Sequence, residues 1–333
     1  MGRAGACGRD QGRMTNLIDK THSVRVTRDV RYATARVNVS TKPAERELLL
    51  DVYQPEDLAA GTRSPALVLA FGGAFHRGSR ESDRVDAEGQ KNTTTAEYCR
   101  LFAQRGYCSF SIDYRLVQED PDPGSTPVIT NEASIPRSRV DVVRAKLGLP
   151  PATFTMLKAG IEAAADDMAT AVTFVRANAV RFGVDPHCIA LGGFSAGART
   201  ALNVAYGERV PVSAVASLSG FIGPDDLTRH VTGEGQPPVL LLSGEHDLDY
   251  IAKSFAGTAA YFRAKGLLHG AHVVPTVDHF YPATSTIPLL DGKTTTVEGV
   301  MAEFFATYLR GSITPERHLP EFDADSHDPR PEW

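Results

Sequence analysis

The chain has 333 residues, 42% hydrophobic and 23% charged, with 35 Lys plus Arg against 40 Asp plus Glu for a formal net charge of −5. That apolar share excludes a disordered polymer, and 29 Gly without a period together with only 4 Cys exclude a collagen or a disulfide miniprotein. A near-balanced, slightly acidic surface offers no basic footprint for nucleic acid or an anionic membrane, so small-molecule chemistry leads.

Met1 to Arg13 is rich in Gly and Arg and has no apolar period, and Met14 reads as an alternative start. The first twenty residues lack the apolar stretch of a secretory signal, and nowhere do 18 apolar residues run together. The expected setting is therefore cytoplasmic, with no integral membrane segment. Residues 1–28 are read as a tail and lead-in, 29–312 as the one domain that carries the chemistry, and 313–333, rich in Pro and acid, as a loose tail. Cys7, Cys99, Cys108 and Cys188 show no CxxC spacing and are read as reduced thiols, with no metal site implied.

Two segments of alternating character, near Val30–Val39 and Glu47–Tyr53, suggest an antiparallel lead-in. Short, nearly continuous apolar runs follow: Ala66–Phe71, Tyr107–Ile112, Cys188–Gly193, Val212–Leu218, Val239–Ser243 and Ala271–Thr276. Such runs suit strands covered on both faces. Amphipathic stretches separate them, clearest at Leu157–Phe182, where Ile161, Ala164, Ala165, Met168, Val172 and Val175 recur at helical spacing. The alternation predicts an α/β fold of βαβ units on one mostly parallel sheet. The polar stretch 80–95, with its charges and the Thr93–Thr95 run, reads as an exposed loop. Residues 116–155, punctuated by Pro121, Pro123, Pro127, Pro136, Pro150 and Pro151 with a short helix near Val140–Leu147, are too long for a plain crossover. They read as a partial cap whose deletion would alter substrate preference more than stability.

The sharpest chemical signal is Gly193-Phe194-Ser195-Ala196-Gly197, directly after an apolar run and directly before a helical stretch. A serine on a sharp strand-to-helix turn occupies a strained conformation and needs minimal side chains two positions to either side, which Gly193 and Gly197 supply. A serine hydroxyl is a weak nucleophile until a base takes its proton and a carboxylate orients that base. His279 follows the last apolar run and is the candidate base. Asp247, after the run ending in Ser243 and a turn at Gly244, is the favoured acid, with Asp249, Glu245, Asp225 and Asp226 as rivals. The turn Gly72-Gly73-Ala74-Phe75 follows another strand end, and the backbone N–H groups of Gly73 and Ala74, with that of Ala196, are the candidate oxyanion donors. His76 and His246 lie near these positions and read as structural or solvated. Phe280 and Tyr281 read as packing around the base.

With these motifs in place, the chain resembles the α/β-hydrolase family, and within it the carboxylesterase group that includes hormone-sensitive-lipase-like and feruloyl-esterase-like enzymes. The resemblance runs from about Leu48 to Leu309 through LDVYQP, FGGAFHRGS, GYCSFSIDYRL, ADDMATAVTFVRANAVRFGVDPHCIALGGFSAGA, LLLSGEHDLDYI and VDHF, all in the family's order. It implies an eight-stranded, mostly parallel sheet flanked by helices, and acyl transfer from an ester to serine to water. It also implies a structural pairing of Arg115 with Asp166 or Asp167. Phe71 stands where the family's oxyanion loop usually begins with His, so the loop must be held without that imidazole. Phe194 stands where lipase-like members carry Asp, which tilts the resemblance toward the feruloyl-esterase-like group.

The leading expectation is a serine carboxylic-ester hydrolase for small to medium esters, requiring neither a metal nor an organic cofactor. A feruloyl- or acetyl-type carbohydrate esterase and a prolyl-oligopeptidase-like peptidase are alternatives, and a non-catalytic ligand-binding protein of the same fold is the alternative from another class. The expected partner is a small ester, not nucleic acid. The oligomeric state is left open.

Overall fold

Alternation of apolar side chains along each central strand sends neighbouring residues to opposite faces of a sheet, and both faces here are roofed by helices. The computed structural model describes residues 17–58, 61–84, 86–87, 90–289 and 291–309. The readings of Met14, of Cys7, of residues 1–16 and of the 313–333 tail lie outside the described residues.

The main strands are β1 (Val24–Val37), β2 (Ala44–Pro55), β3 (Ser64–Ala70), β4 (Cys108–Ile112), β5 (Val184–Phe194), β6 (Ala214–Leu218), β7 (Val239–His246) and β8 (Leu268–Asp278). They form one eight-stranded sheet in the order β1-β2-β4-β3-β5-β6-β7-β8. β1 pairs antiparallel with β2 and β2 antiparallel with β4, as the lead-in pattern predicts. Every pairing from β4 to β8 is parallel. The helices are α1 (Thr95–Ala103), α2 (Ser138–Lys146), α3 (Phe154–Ala177), α4 (Ala179–Phe182), α5 (Ala196–Leu202), α6 (Pro224–His230), α7 (Asp249–Ala264) and α8 (Val297–Leu309).

Alternate residues of β3 and β7 sort into two apolar layers. Val68 and Leu241 join the apolar faces of α3 and α7, including Met168 and Phe262. Leu67, Leu69, Leu240 and Leu242 join α1 and α8 through Phe102, Phe304 and Phe305. A buried side chain of this size contributes about 1.5–3 kcal/mol, so the two layers are the main source of stability. Among the described residues, no helix is long and apolar enough to cross a membrane.

The structure corrects several readings. The long helical pattern is interrupted at Asn178, whose side-chain amide donates to the Phe174 carbonyl at 2.9 Å, and a short α4 then ends on Gly183 at φ 63°. The stretch 80–95 is only in part the exposed loop expected: Glu81, Ser82, Arg84 and Lys91 are exposed, but other described residues are buried. Arg80 is only 6% exposed and donates to Asp51 at 3.0 Å and to Asp113 at 2.8 Å. Thr94 caps α1 in a reciprocal capping box with Glu97, so Thr94 and Thr95 are buried at a helix start and Thr93 is half-buried.

The insertion 116–155 is also more than a cover. Val117, Val128, Ile129, Ile135, Val140 and Ala152 belong to the central core. Glu162 of α3 accepts from the N–H groups of Val128 and Ile129 at 3.0 and 3.1 Å, and His230 Nε2 donates to the Val128 carbonyl at 3.0 Å. Removing the segment would expose that core and orphan these groups, so stability is lost along with any change in preference. Cys99 and Cys108 are buried free thiols, as their reading expects.

Candidate active site

Parallel strands deliver their C-terminal ends to one edge of the sheet, where loops gather the chemistry. Ser195 follows β5, Ser219 lies just beyond β6, Asp247 follows β7, His279 follows β8, and the turn from Gly72 to Phe75 lies just beyond β3. Ser195 sits at φ 54°, ψ −114°, a conformation that costs an L-residue about 1–3 kcal/mol unless its surroundings impose it. They do so here. Ser195 N–H donates to the Leu218 carbonyl at 2.8 Å and its carbonyl accepts from Arg199 N–H at 3.0 Å. A Cβ on Gly197 would stand 2.0 Å from the Ala70 carbonyl oxygen, and one on Gly193 would stand 2.4 Å from the Gly197 carbonyl carbon. The two glycines let α5 press against β3, and that contact holds the serine at the crest of the turn.

His279 lies between Ser195 and Asp247. Its Nδ1 is 2.6 Å from Asp247 Oδ1 and its Nε2 is 2.9 Å from Ser195 Oγ. With Asp247 ionised, Nδ1 donates to the carboxylate, which leaves the Nε2 lone pair to accept from the serine hydroxyl. β8 is irregular between Val274 and Asp278, with Thr276 at φ 60° and its N–H donating to Glu245 at 2.7 Å. That irregularity lifts the chain end that carries His279. Phe194 packs behind the imidazole, with ring centroids 5.3 Å apart, and Phe280 flanks it at 4.9 Å.

Asp247 is 7% exposed and saturated with donors. Oδ1 accepts from His279 and from Leu248 N–H at 2.7 Å, while Oδ2 accepts from Ser219 Oγ at 2.5 Å and Gly244 N–H at 3.1 Å. Ser243 Oγ lies 3.2 Å from the same oxygen. Burial pushes this carboxyl up, but the hydrogen bond and charge of His279, with Ser219 and the Leu248 N–H, bring it below its ordinary value. Since the one hydrogen of Ser219 goes to Asp247, the Tyr281 hydroxyl 3.1 Å away donates to Ser219. Burial raises the Tyr281 phenol, so it remains a donor.

The turn from Gly72 to Phe75, the candidate oxyanion turn, is held differently. Gly73 is at φ 138°, with Ala74 and Phe75 at 56° and 59°, and a Cβ on Gly73 would meet the Arg77 carbonyl oxygen at 2.0 Å. The Gly73 carbonyl accepts from His76 and Arg77 N–H at 3.0 and 3.2 Å, which orients the peptide plane carrying the Ala74 N–H. Tyr114 takes over the anchoring that a leading histidine would have supplied. Its ring stacks on Phe71 at 4.2 Å and its hydroxyl donates to the Phe71 carbonyl at 2.8 Å. Gly72 N–H donates to Asp83 at 3.1 Å, and Asp83 also accepts from Thr95 N–H at 2.9 Å. Burial raises the Asp83 carboxyl against the lowering effect of these bonds. Among the described residues, the N–H groups of Gly73, Ala74 and Ala196 donate to no protein acceptor.

His76 is 1% exposed and belongs to the framework. Its Nδ1 donates to the Ala74 carbonyl at 2.6 Å and its Nε2 accepts from Arg144 of α2 at 3.0 Å, so a neutral imidazole ties the insertion to the oxyanion turn. Burial pushes its pKa down, as this role requires.

The rivals to Asp247 lie elsewhere. Asp249 is exposed beside Lys253 at 3.3 Å, Glu245 is exposed and bonded to Thr276, Asp225 accepts from Asn131 at 2.9 Å, and Asp226 accepts from Thr130 N–H at 2.6 Å. His246 is exposed. Arg115 binds Asp167 through Nε at 3.0 Å and reaches Asp166 at 3.5 Å, a buried pairing away from the reacting groups. Sequence reasoning passed over Ser219, Ser243, Asp83 and Tyr114. Ser219 carried a usable signal, being a small polar residue just past a strand end on the same edge as Ser195.

The chain matches the BD-FAE family model over residues 154–217, the stretch from α3 through β5 and the serine turn into β6. No curated protein matches it. Among solved structures, a thermophilic esterase of the planctomycete Thermogutta terrifontis, esterase 2 with propionate bound, is 18% identical with a TM-score of 0.50 over 78% of this chain and 84% of that one. The same esterase phosphoramylated by tabun is also 18% identical, with a TM-score of 0.50 over 77% and 84%. Strand order, parallel pairing and this likeness define the class: the chain has the α/β-hydrolase fold.

Proposed function

We propose that this protein is a serine carboxylic-ester hydrolase for small to medium esters, with Ser195 as nucleophile, His279 as general base and acid, and Asp247 as the orienting carboxylate. Gly73, Ala74 and Ala196 supply the oxyanion donors. The observation that carries this reading is the unbroken chain Ser195–His279–Asp247, at 2.9 and 2.6 Å, beside backbone N–H groups that donate to no protein acceptor among the described residues. The match to BD-FAE and the esterase neighbours support it.

Ser195 Oγ attacks the ester carbonyl while His279 Nε2 takes its proton, and the Asp247 carboxylate holds the imidazole tautomer and stabilises the imidazolium. Charge on the former carbonyl oxygen is met by the waiting N–H groups, each worth roughly 3–4 kcal/mol of barrier. Collapse expels the alcohol, which receives the proton from His279, and leaves an acyl-serine. Water, deprotonated by His279, then releases the acid. Residues 29–312 form the catalytic domain on this reading, with 116–155 as its cap.

A fluorophosphonate probe with a panel of p-nitrophenyl esters tests the proposal. The expected result is one adduct on Ser195 by mass spectrometry and turnover of the short esters. Lack of both labelling and turnover in folded protein would sink it.

A further inference from the structure

Two guanidinium groups stand at the rim of this site with no acid partner among the described residues. Arg139, on α2 of the insertion, places its Cζ 5.4 Å from the centroid of the Phe280 ring, and that ring in turn flanks His279. Arg77 is rooted in the oxyanion turn, where its N–H donates to the Gly73 carbonyl and its Cγ would be 3.1 Å from a Cβ on Gly73. Neighbouring arginines behave differently. Arg137 pairs with Asp141 at 3.5 Å, Arg80 with Asp113 at 2.8 Å, and Arg115 with Asp167 at 2.8 Å. Among the described residues, neither Arg77 nor Arg139 forms an ion pair or a side-chain hydrogen bond, and both are half-buried.

That arrangement is unfavourable in the free protein. Burial works against the charge of Arg139, the like charge of Arg77 adds to the effect, and only the Tyr250 hydroxyl acts in the opposite sense. A partly desolvated cation with a cationic neighbour gains most from an incoming anion, and a planar guanidinium matches a carboxylate in two parallel hydrogen bonds. The location says which part of the substrate carries that anion. The leaving oxygen must receive its proton from His279 Nε2, so the alcohol departs past His279, and Phe280 and Arg139 lie beside that residue.

We infer that Arg139, assisted by Arg77, is a specificity-determining residue, and that the preferred substrates are esters whose alcohol or phenol portion bears a carboxylate. The inference rests on the esterase reading of the same site. It adds a substrate class.

The test compares 4-acetoxybenzoate with its methyl ester, each kcat/KM divided by that compound's hydroxide-catalysed rate. The expected preference for the free acid is about 10- to 100-fold, the worth of one charge-assisted contact, and it shrinks as salt is raised. Arg139→Gln should bring the ratio toward one, chiefly through KM, Arg139→Lys should keep part of it, and Arg77→Gln should lower it less. A second arm compares mono-p-nitrophenyl succinate with p-nitrophenyl butyrate. A preference confined to this arm would overturn the placement of the anion in the leaving group. A wild-type ratio at or below one, or a ratio that ignores both Arg139→Gln and salt, would overturn the inference while neutral-ester turnover left the esterase reading standing. Should no ester turn over and no fluorophosphonate adduct form, the esterase reading fails, and calorimetry with 4-hydroxybenzoate and its methyl ester decides the rest. Carboxylate-dependent binding weakened by Arg139→Gln supports the anion site, and equal or absent binding removes it.

Discussion

Asp247 and the oxyanion turn lie on the same sheet edge and treat their polar groups in opposite ways. The carboxylate is surrounded by His279, Leu248 N–H, Ser219 and Gly244 N–H, with every lone pair engaged. The turn and the Phe71 that leads into it commit carbonyls to Tyr114, His76 and Arg77, and among the described residues the Gly73 and Ala74 N–H groups meet no acceptor. On the proposed mechanism Asp247 only orients, and it is held from all sides, while the turn binds a transient charge and has to keep donors open. Asp83 and Tyr114 accordingly anchor the backbone at Gly72 and Phe71 without occupying the N–H groups of Gly73 and Ala74.

Substitutions can break or sharpen this contrast. Ser195→Ala removes the group that both halves serve and should lower kcat on p-nitrophenyl acetate on the order of 10⁶-fold without changing the melting temperature by more than a few degrees. Asp247→Asn keeps the shape of its pocket but presents the wrong hydrogen-bonding partner to Nδ1. A loss of about 10⁴-fold in kcat is expected in the same assay. Asp83→Ala tests the other half: it frees Gly72 N–H and lets the donors drift, for a loss of about 10²–10³-fold in acylation rate, read by stopped-flow burst kinetics. Acylation as fast as wild type would show that the turn keeps its shape without this anchor.

Ser219→Ala probes the saturation of Asp247 through stability. It removes one donor from a buried charge and should cost about 1–3 kcal/mol in urea unfolding at neutral pH. The sign with pH follows from the lowered carboxyl of Asp247. Its stabilising contribution is full above the unfolded value of about 3.9 and is lost as pH falls through the lower folded value. The difference between Ser219→Ala and wild type should therefore shrink on acidification, and a gap that is the same at pH 7 and pH 2.5 would detach Ser219 from the carboxylate. Asp249→Asn touches only the exposed contact with Lys253 and should stay within about 0.5 kcal/mol and twofold in kcat.

Much of the framework was legible in the chain. The runs at Ala66–Phe71 and Val239–Ser243 are apolar on both faces because helices cover both, and the resulting strands β3 and β7 differ from those runs mainly at their ends. The turn at Ser195 was legible because steric closeness at Gly193 and Gly197 leaves a mark at single positions. Arg80 was misjudged for the reverse reason. Its charge looks solvated along the chain, and it is buried only because Asp51 in β2 and Asp113 just past β4 arrive from 29 and 33 residues away. The insertion misled in the same way: Val128 and Ile129 show no period, yet the Glu162 carboxylate gathers their N–H groups across more than 30 residues.

The sequence by itself determined the layering of the fold and the identity of the groups that could react, because periodicity, turn sterics and side-chain chemistry are properties of short stretches. Only the tertiary structure decided which carboxylate faces His279, and that among the described residues some donors stay open beside Ser195 and Arg77 and Arg139 meet no acid. Each of these is a matter of distance between residues far apart in the chain, and distance is set when the strands are stacked in the order that the packed layers impose.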